Sequence, residues 1–438
     1  MKKFLPALLF LVLPVAINAQ AVYDLQKCID EGLQRNYDIR ITRNNQEISN
    51  NNLTLGNAGY LPTLDLNAGY SGTRNDITQN LTEGGQDKNN GVLNQTLNAA
   101  LNLNWTVFDG FNIQTNYKRL QELQKMGELD TRFTIENFVS ELVAEYYNYI
   151  QQTIRLKNLK YAVKLSQERV RIVETYYQVG AGSRLDLQQA KVDFNSDSSQ
   201  LVKQYEILFS SRITLNQLMA VDEIDQLIET TDSVIEFNEF LDKEDLLQKT
   251  LSSNIVFLQA TKNRTLSELD MKTAQSSYYP YLRVNAGYGY TKNIYNTGTI
   301  DNQRTLGLSY GATVGLNLFS GFERKRKVKN AKIEIENKEL LLEQTLLYLR
   351  ADLANIWMAY RNNIELSNLE KENVGTARDN YEIALERYKL GDLAGIELRE
   401  AQNSLLEAEQ RLVDAEYNTK LCEISLMQIS GQIMTYFK

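Results

Sequence analysis

The 438-residue chain has no histidine and only two cysteines, Cys28 and Cys422, against 55 aspartates and glutamates. Imidazole triads, His-ligated metals and Cys-cluster zinc sites are therefore excluded. Carboxylates are the one abundant reactive group, and a two-carboxylate hydrolase would need a pair of them beside a cleft or nucleophile. Nothing in the sequence gathers them so, and no catalytic residue, metal or cofactor is expected. Cys28 and Cys422 stand near opposite ends of the chain; they can pair in an oxidising compartment or sit as two small buried residues. The carboxylates with a distinctive setting are Asp186, Glu397 and Glu400, which follow glycine turns at Gly180-Ala181-Gly182 and Gly391 to Gly395. Taken alone, Glu397 and Glu400 read as exposed glutamates on a polar helix face.

Met1 to Ala19 reads as a secretory signal: Lys2 and Lys3, an apolar stretch from Phe4 to Val15, and a small-residue site at Ile17-Asn18-Ala19. Cys28 lies well past it and cannot be a lipid-modified first residue. Loss of Lys2 and Lys3 leaves 45 basic against 55 acidic residues, which argues against nucleic acid as a partner. No later stretch approaches ~18 consecutive apolar residues, so any membrane contact must use strands.

The chain is written twice. Pro62 to Tyr70 matches Pro280 to Tyr288 at an offset of 218, and Phe108-Asp109-Gly110-Phe111 matches Phe319-Ser320-Gly321-Phe322 at 211. Tyr177, Gly180, Asp186 and Ala190 then meet Tyr388, Gly391, Glu397 and Ala401 at the same 211. A first repeat over 20–220 and a second over 246–438 each run helix, strand, loop, strand, long helix, turn, helix. Between them Val221 to Asp245 carries ten acidic residues and reads as a solvated connector.

Four segments alternate with period two, placed at 62–72, 97–108, 280–290 and 305–319, with polar loops from Thr73 to Thr96 and Thr291 to Arg304. Each has the length of a tilted membrane strand, although a half-buried soluble sheet would alternate in the same way. Four strands cannot close a barrel, since bacterial barrels need about eight, so several copies must share one. Trp105, Phe108, Phe111, Phe319 and Phe322 lie at strand ends and suit an interfacial aromatic belt or a core. Five basic residues between Glu323 and Lys329 read as a solvated helix face, with lipid headgroup contact as the alternative. Phe111 to Val179 and Phe322 to Leu390 contain no proline and step their apolar residues by three and four. Each such run, unbroken at ~1.5 Å per residue, would be a helix of roughly 100 Å that returns at its glycine turn as an antiparallel coiled-coil hairpin. Gly127 and Gly375 are the expected bends. The fold class is therefore mainly α with membrane β.

On the duplicated layout, the Leu-Pro-Thr-Leu and Tyr-Pro-Tyr-Leu strand starts, the Phe-Asp-Gly-Phe and Phe-Ser-Gly-Phe exits and the two Tyr-x-x-Gly turns, the chain resembles the TolC family of outer-membrane channels. The resemblance implies a homotrimer whose twelve-stranded barrel, embedded in outer-membrane lipid, continues into an α-helical periplasmic tunnel. It implies a periplasmic adaptor and an inner-membrane transporter as partners, in an efflux pump or type I secretion system. It also implies a pore constriction at Glu397 and Glu400, and a closed tip held by a bond between Tyr388 and Asp186. The latch arginine of the family is replaced by Leu393, and Arg184 is a candidate substitute. Three copies of Glu397 and Glu400 around a narrow lumen would attract cations and raise one another's carboxyl pKa values. The alternative function is an exported coiled-coil scaffold or adhesin that conducts nothing.

Overall fold

The computed structural model describes residues 21–437; the expected signal segment Met1 to Ala19 lies outside the described residues. In chain order the elements are β1 (Ala21–Tyr23), α1 (Leu25–Arg35), α2 (Tyr37–Asn52), α3 (Leu55–Ala58), β2 (Thr63–Asn80), β3 (Gln86–Asp109), α4 (Asn112–Gln178) and α5 (Arg184–Met219). There follow β4 (Ile228–Thr230), α6 (Lys243–Ser253), α7 (Ile255–Ser276), β5 (Tyr281–Tyr295), β6 (Asn302–Gly315), α8 (Glu323–Lys389), α9 (Gly395–Ile429) and α10 (Ile433–Tyr436). Two compact units result. Of the described residues, one contains 21–40, 135–252 and 350–437; the other contains 41–134 and 253–349. Both long helices, α4 and α8, have 67 residues, and helical structure continues through Gly127 and Gly375 without the expected break.

The second unit holds an antiparallel sheet in the order β2-β3-β5-β6. Its register aligns Leu66 with Leu101, Leu101 with Tyr288, and Tyr288 with Leu308. Because side chains alternate in facing along every strand, this register gathers one apolar face. Leu66, Leu101, Tyr288, Leu308 and Val314 are all exposed on it. The rows between them carry Asn67, Asn98, Asn102, Asn285, Gly287 and Ser309, so the opposite face is polar and small.

Several strand boundaries differ from expectation. The segment Thr73 to Thr96 is not a loop: β2 and β3 stay paired out to Asn80 and Gln86 and turn only over 81–85. Backbone pairing needs no apolar face, so the Asn- and Gly-rich continuation hides its strand character. Likewise β5 and β6 extend into the expected loop, to Tyr295 and from Asn302. The fourth strand ends at Gly315 rather than 319, because its partner β5 begins at Tyr281 and residues beyond have nothing to pair with. A bulge between Thr106 and Phe108 also removes Val107 from the apolar row and sets Phe108 against Leu282.

In the first unit the acidic connector is anchored rather than merely solvated. β4 pairs in parallel with β1, and Ile228 and Ile235 are buried. Tyr149 donates to Ile228 O at 2.9 Å and Tyr146 to Asp232 Oδ2 at 2.9 Å, tying the connector to α4. A buried pair, Lys420 with Glu423 at 3.1 Å, reinforces it, since Glu423 also accepts from the Asn238 backbone N–H. Cys28 and Cys422 are free thiols; burial pushes Cys28 up to about 12.

Candidate functional site

The glycine turns that reverse each hairpin both lie in the first unit. At the end of α4, Ala181 N and Gly182 N donate to Tyr176 O at 2.8 and 3.0 Å; at the end of α8, Asp392 N donates to Arg387 O at 3.0 Å. Gly180 and Gly391 adopt φ of 79° and 77°, the left-handed conformation that closes helix ends and that glycine alone enters without cost. Arg387 clamps the second turn, donating to Asp392 Oδ2 at 3.1 Å.

The two turns start their following helices differently. Ser183 caps α5, its Oγ accepting from Asp186 N at 3.0 Å and donating to Asp186 Oδ2 at 2.7 Å. The hydroxyl thus caps the first turn of α5 and holds the Asp186 carboxylate as well. At the matching place before α9 stands Ala394, which has no side-chain bond to offer. Glu397, the counterpart of Asp186, is thus released from capping and is exposed, as is Glu400 three residues on. Leu398, Ala401 and Gln402 are buried, so the two carboxylates leave α9 on the side away from its packing face.

Tyr388 is 8% exposed and sits in an apolar cluster with Val173, Leu187, Tyr381, Leu398 and Leu405. Burial is the main cause of the upward shift of its hydroxyl pKa, with Arg169 opposing and Asp186 adding. Among the described residues no hydrogen bond joins Tyr388 to Asp186, whose carboxylate is engaged by Ser183. Leu393 packs against the same cluster, which accounts for an apolar residue there. Arg184 is exposed and makes no ion pair among the described residues.

The charged contacts that do tie the helices together were not anticipated. Arg399, between the two exposed glutamates in sequence, forks onto Asp197 of α5 with both bonds at 2.7 Å. Asp197 is 2% exposed and also accepts from Ser166 of α4. Gln402 donates to Ser166 Oγ at 3.0 Å, and Arg169 pairs with Asp193 one turn away. Tyr176 adds a bond to Lys389 O at 3.0 Å. No local motif marks Arg399 or Gln402, whose partners on α4 and α5 are more than 200 residues distant.

The aromatic residues lie in the second unit. Phe111 and Phe322 stack edge-on against Phe108 and Phe319 at 5.1 and 5.5 Å. Both occupy left-handed backbone, φ 69° and 64°, which a bulky side chain rarely enters and which costs roughly 1–3 kcal/mol. Trp105 donates its indole N–H to Tyr60 O at 3.0 Å. Phe111, Phe319, Phe322 and Trp105 are nonetheless exposed.

Comparison with known proteins points one way. A family model described as outer membrane efflux protein matches residues 28–221 and 246–432. Outer membrane protein TolC of Escherichia coli is 19% identical over 460 residues, covering 99% of this chain and 87% of that protein. The toluene efflux pump outer membrane protein TtgC of Pseudomonas putida is 20% identical, covering 93% and 82%. The solved Campylobacter jejuni CmeC outer membrane channel superimposes with a TM-score of 0.76 at 19% identity, over 93% of this chain and 85% of that one. VceC of Vibrio cholerae gives 0.72 at 17%, over 93% and 96%.

Proposed function

The chain belongs to the outer membrane efflux protein family, whose members transport rather than catalyse, and from that premise we propose that it is the passive exit duct of a three-component pump. Three copies close one barrel of twelve strands. The observation that carries this reading is the four-stranded sheet with one apolar face and two unpaired edges, β2 and β6. In lipid an unpaired strand edge costs several kcal/mol per unsatisfied group, so β6 of one copy must meet β2 of the next. The apolar face then meets lipid and the Asn- and Gly-rich face lines the lumen.

At the hairpin tips the released Glu397 and Glu400 line the narrowest passage, six carboxylates in a trimer, and favour cations there. Tyr388 and Asp186 belong to the closed tip, with Tyr388 acting through packing. A periplasmic adaptor and an inner-membrane transporter supply substrate and energy. The chain resides in the outer membrane, as its family does, with its helices reaching into the periplasm. Native mass measurement and single-channel recording in planar bilayers test the proposal together. A trimer with a small, cation-preferring conductance is expected; a monomeric species that conducts nothing would return the scaffold reading.

A further inference from the structure

The start of α8 breaks a rule of helix electrostatics that the start of α4 obeys. Helix N-termini carry partial positive charge and favour acids. At α4 the preceding Asp109 accepts from Ile113 N at 3.0 Å, and the first turn holds no charge. At α8 the matching residue is Ser320, and the first seven positions, Glu323 to Lys329, carry five cations and one acid. In a chain of net charge −8 this local reversal is conspicuous. Lys325 and Lys329, one turn apart, also repel each other.

Among the described residues, Arg324 is the one of the five cations held by hydrogen bonds. Arg324 donates to Ser320 Oγ, Ser277 O and Leu318 O at 3.2, 3.2 and 3.0 Å and lies over the Tyr278 ring, fastening the strand exit to the end of α7. Lys327 reaches Glu323 at 3.1 Å and Arg326 only at 3.9 Å, both solvent-exposed pairs of little strength. Lys325 and Lys329 are exposed and have no hydrogen bond or ion pair among the described residues. Immediately before this turn the chain exposes Leu318, Phe319 and Phe322, each 72% or more, a few residues after Val314, the last apolar residue of the paired sheet row.

We propose that Lys325, Arg326, Lys327 and Lys329 form a binding surface for the phosphates of anionic lipid headgroups, in the leaflet on the helical side of the barrel. The sequence of environments fits a bilayer boundary: apolar strand face, aromatic rings at the interface, then flexible cations with apolar stems that reach headgroup depth. Anionic lipid neutralises the charges that the helix terminus disfavours, which explains why they are tolerated. Arg324 fastens the turn, and the other four are exposed around the first two turns of α8.

The inference rests on the sheet face meeting lipid, and the test separates the two. Full-length protein is reconstituted into vesicles of phosphatidylcholine with a minor share of phosphatidylglycerol, insertion is scored by flotation, and lipid retained after extraction is quantified by mass spectrometry. Each cation near an anionic surface is worth about fivefold in binding. The variant K325Q/R326Q/K327Q/K329Q should therefore float like wild type but lose at least about tenfold of its phosphatidylglycerol excess, and Lys↔Arg exchange at the same positions should keep it. If the fourfold variant fails to fold, K325Q/K329Q, which removes no hydrogen bond or ion pair among the described residues, should still lose severalfold. An unchanged excess in a floating variant overturns the headgroup site alone. Displacement by inorganic phosphate, but not by chloride at equal ionic strength, overturns the lipid as occupant. Wild-type protein that does not float overturns the membrane-facing sheet as well.

Discussion

Removing Arg399 should loosen the hairpin tips far more than its place on a charged helix suggests. Asp197 is 2% exposed, and the Arg399→Leu variant would leave its carboxylate, among the described residues, with two neutral donors, Ser166 and Gln402. Breaking a buried pair by deleting one partner costs about 3–5 kcal/mol, and the surviving donors put this case near the lower end, ~3 kcal/mol. Arg399 is itself 17% exposed at its side chain, so Asp197→Leu should cost less, ~1–2 kcal/mol, because the stranded guanidinium reaches water. The double variant Asp197→Leu, Arg399→Leu leaves no unpaired charge and should fall within ~1 kcal/mol of wild type. Amide hydrogen exchange over 193–201 and 397–405 reads this locally. A loss of ~3 kcal/mol means exchange on the order of 100-fold faster in Arg399→Leu, largely restored in the double variant. Additive effects of the two substitutions, or unchanged exchange in Arg399→Leu, would refute the claim that this pair is a desolvated tie between α5 and α9.

Three further outcomes are expected. Glu397→Gln with Glu400→Gln should lower the cation-to-anion permeability ratio severalfold, read from reversal potentials in a salt gradient, while Asp186→Asn should act mainly on turn stability. Gly110→Ala should destabilise by roughly 2–4 kcal/mol in thermal unfolding, because its Cβ would stand 2.3 Å from Ser276 O at a φ of 70°. Gly321→Ala, with nothing within 4 Å, should cost only the left-handed term of about 1 kcal/mol. Glu416, near Tyr149 and Val413 beside a cavity of about 620 Å³, has its pKa raised above 4.5 chiefly by burial. A raised carboxylate favours the folded state at low pH and withdraws that stability as pH climbs through the folded value. Glu416→Gln should therefore gain stability over wild type at neutral pH and show no gain at pH below 4.5, measured as melting temperature across pH.

Much of the architecture is written in local patterns. Alternation in Leu97, Ala99, Leu101 and Leu103 names a strand without any partner in view, and the turns at Gly180 and Gly391 name helix reversals. Where alternation lapses, as from Thr73 to Thr96, strand pairing continues unannounced, because the ladder is made by backbone groups that every residue carries. At the site, serine at 183 is an ordinary helix-capping residue type and alanine at 394 is not, a difference that residue type alone carries. The Asp197–Arg399 fork had no such signal, since a buried aspartate and an exposed one look alike in a sequence.

Sequence alone therefore determined the duplication, the long helices and the turn positions, all of which depend on residues near one another in the chain or on its likeness to itself. Tertiary structure decided which face of each strand lines up with its neighbour, that Cys28 and Cys422 remain apart, and which arginine ties α9 to α5. Those outcomes depend on register and burial, and both are set by contacts between residues far apart in the chain, where no local periodicity reaches.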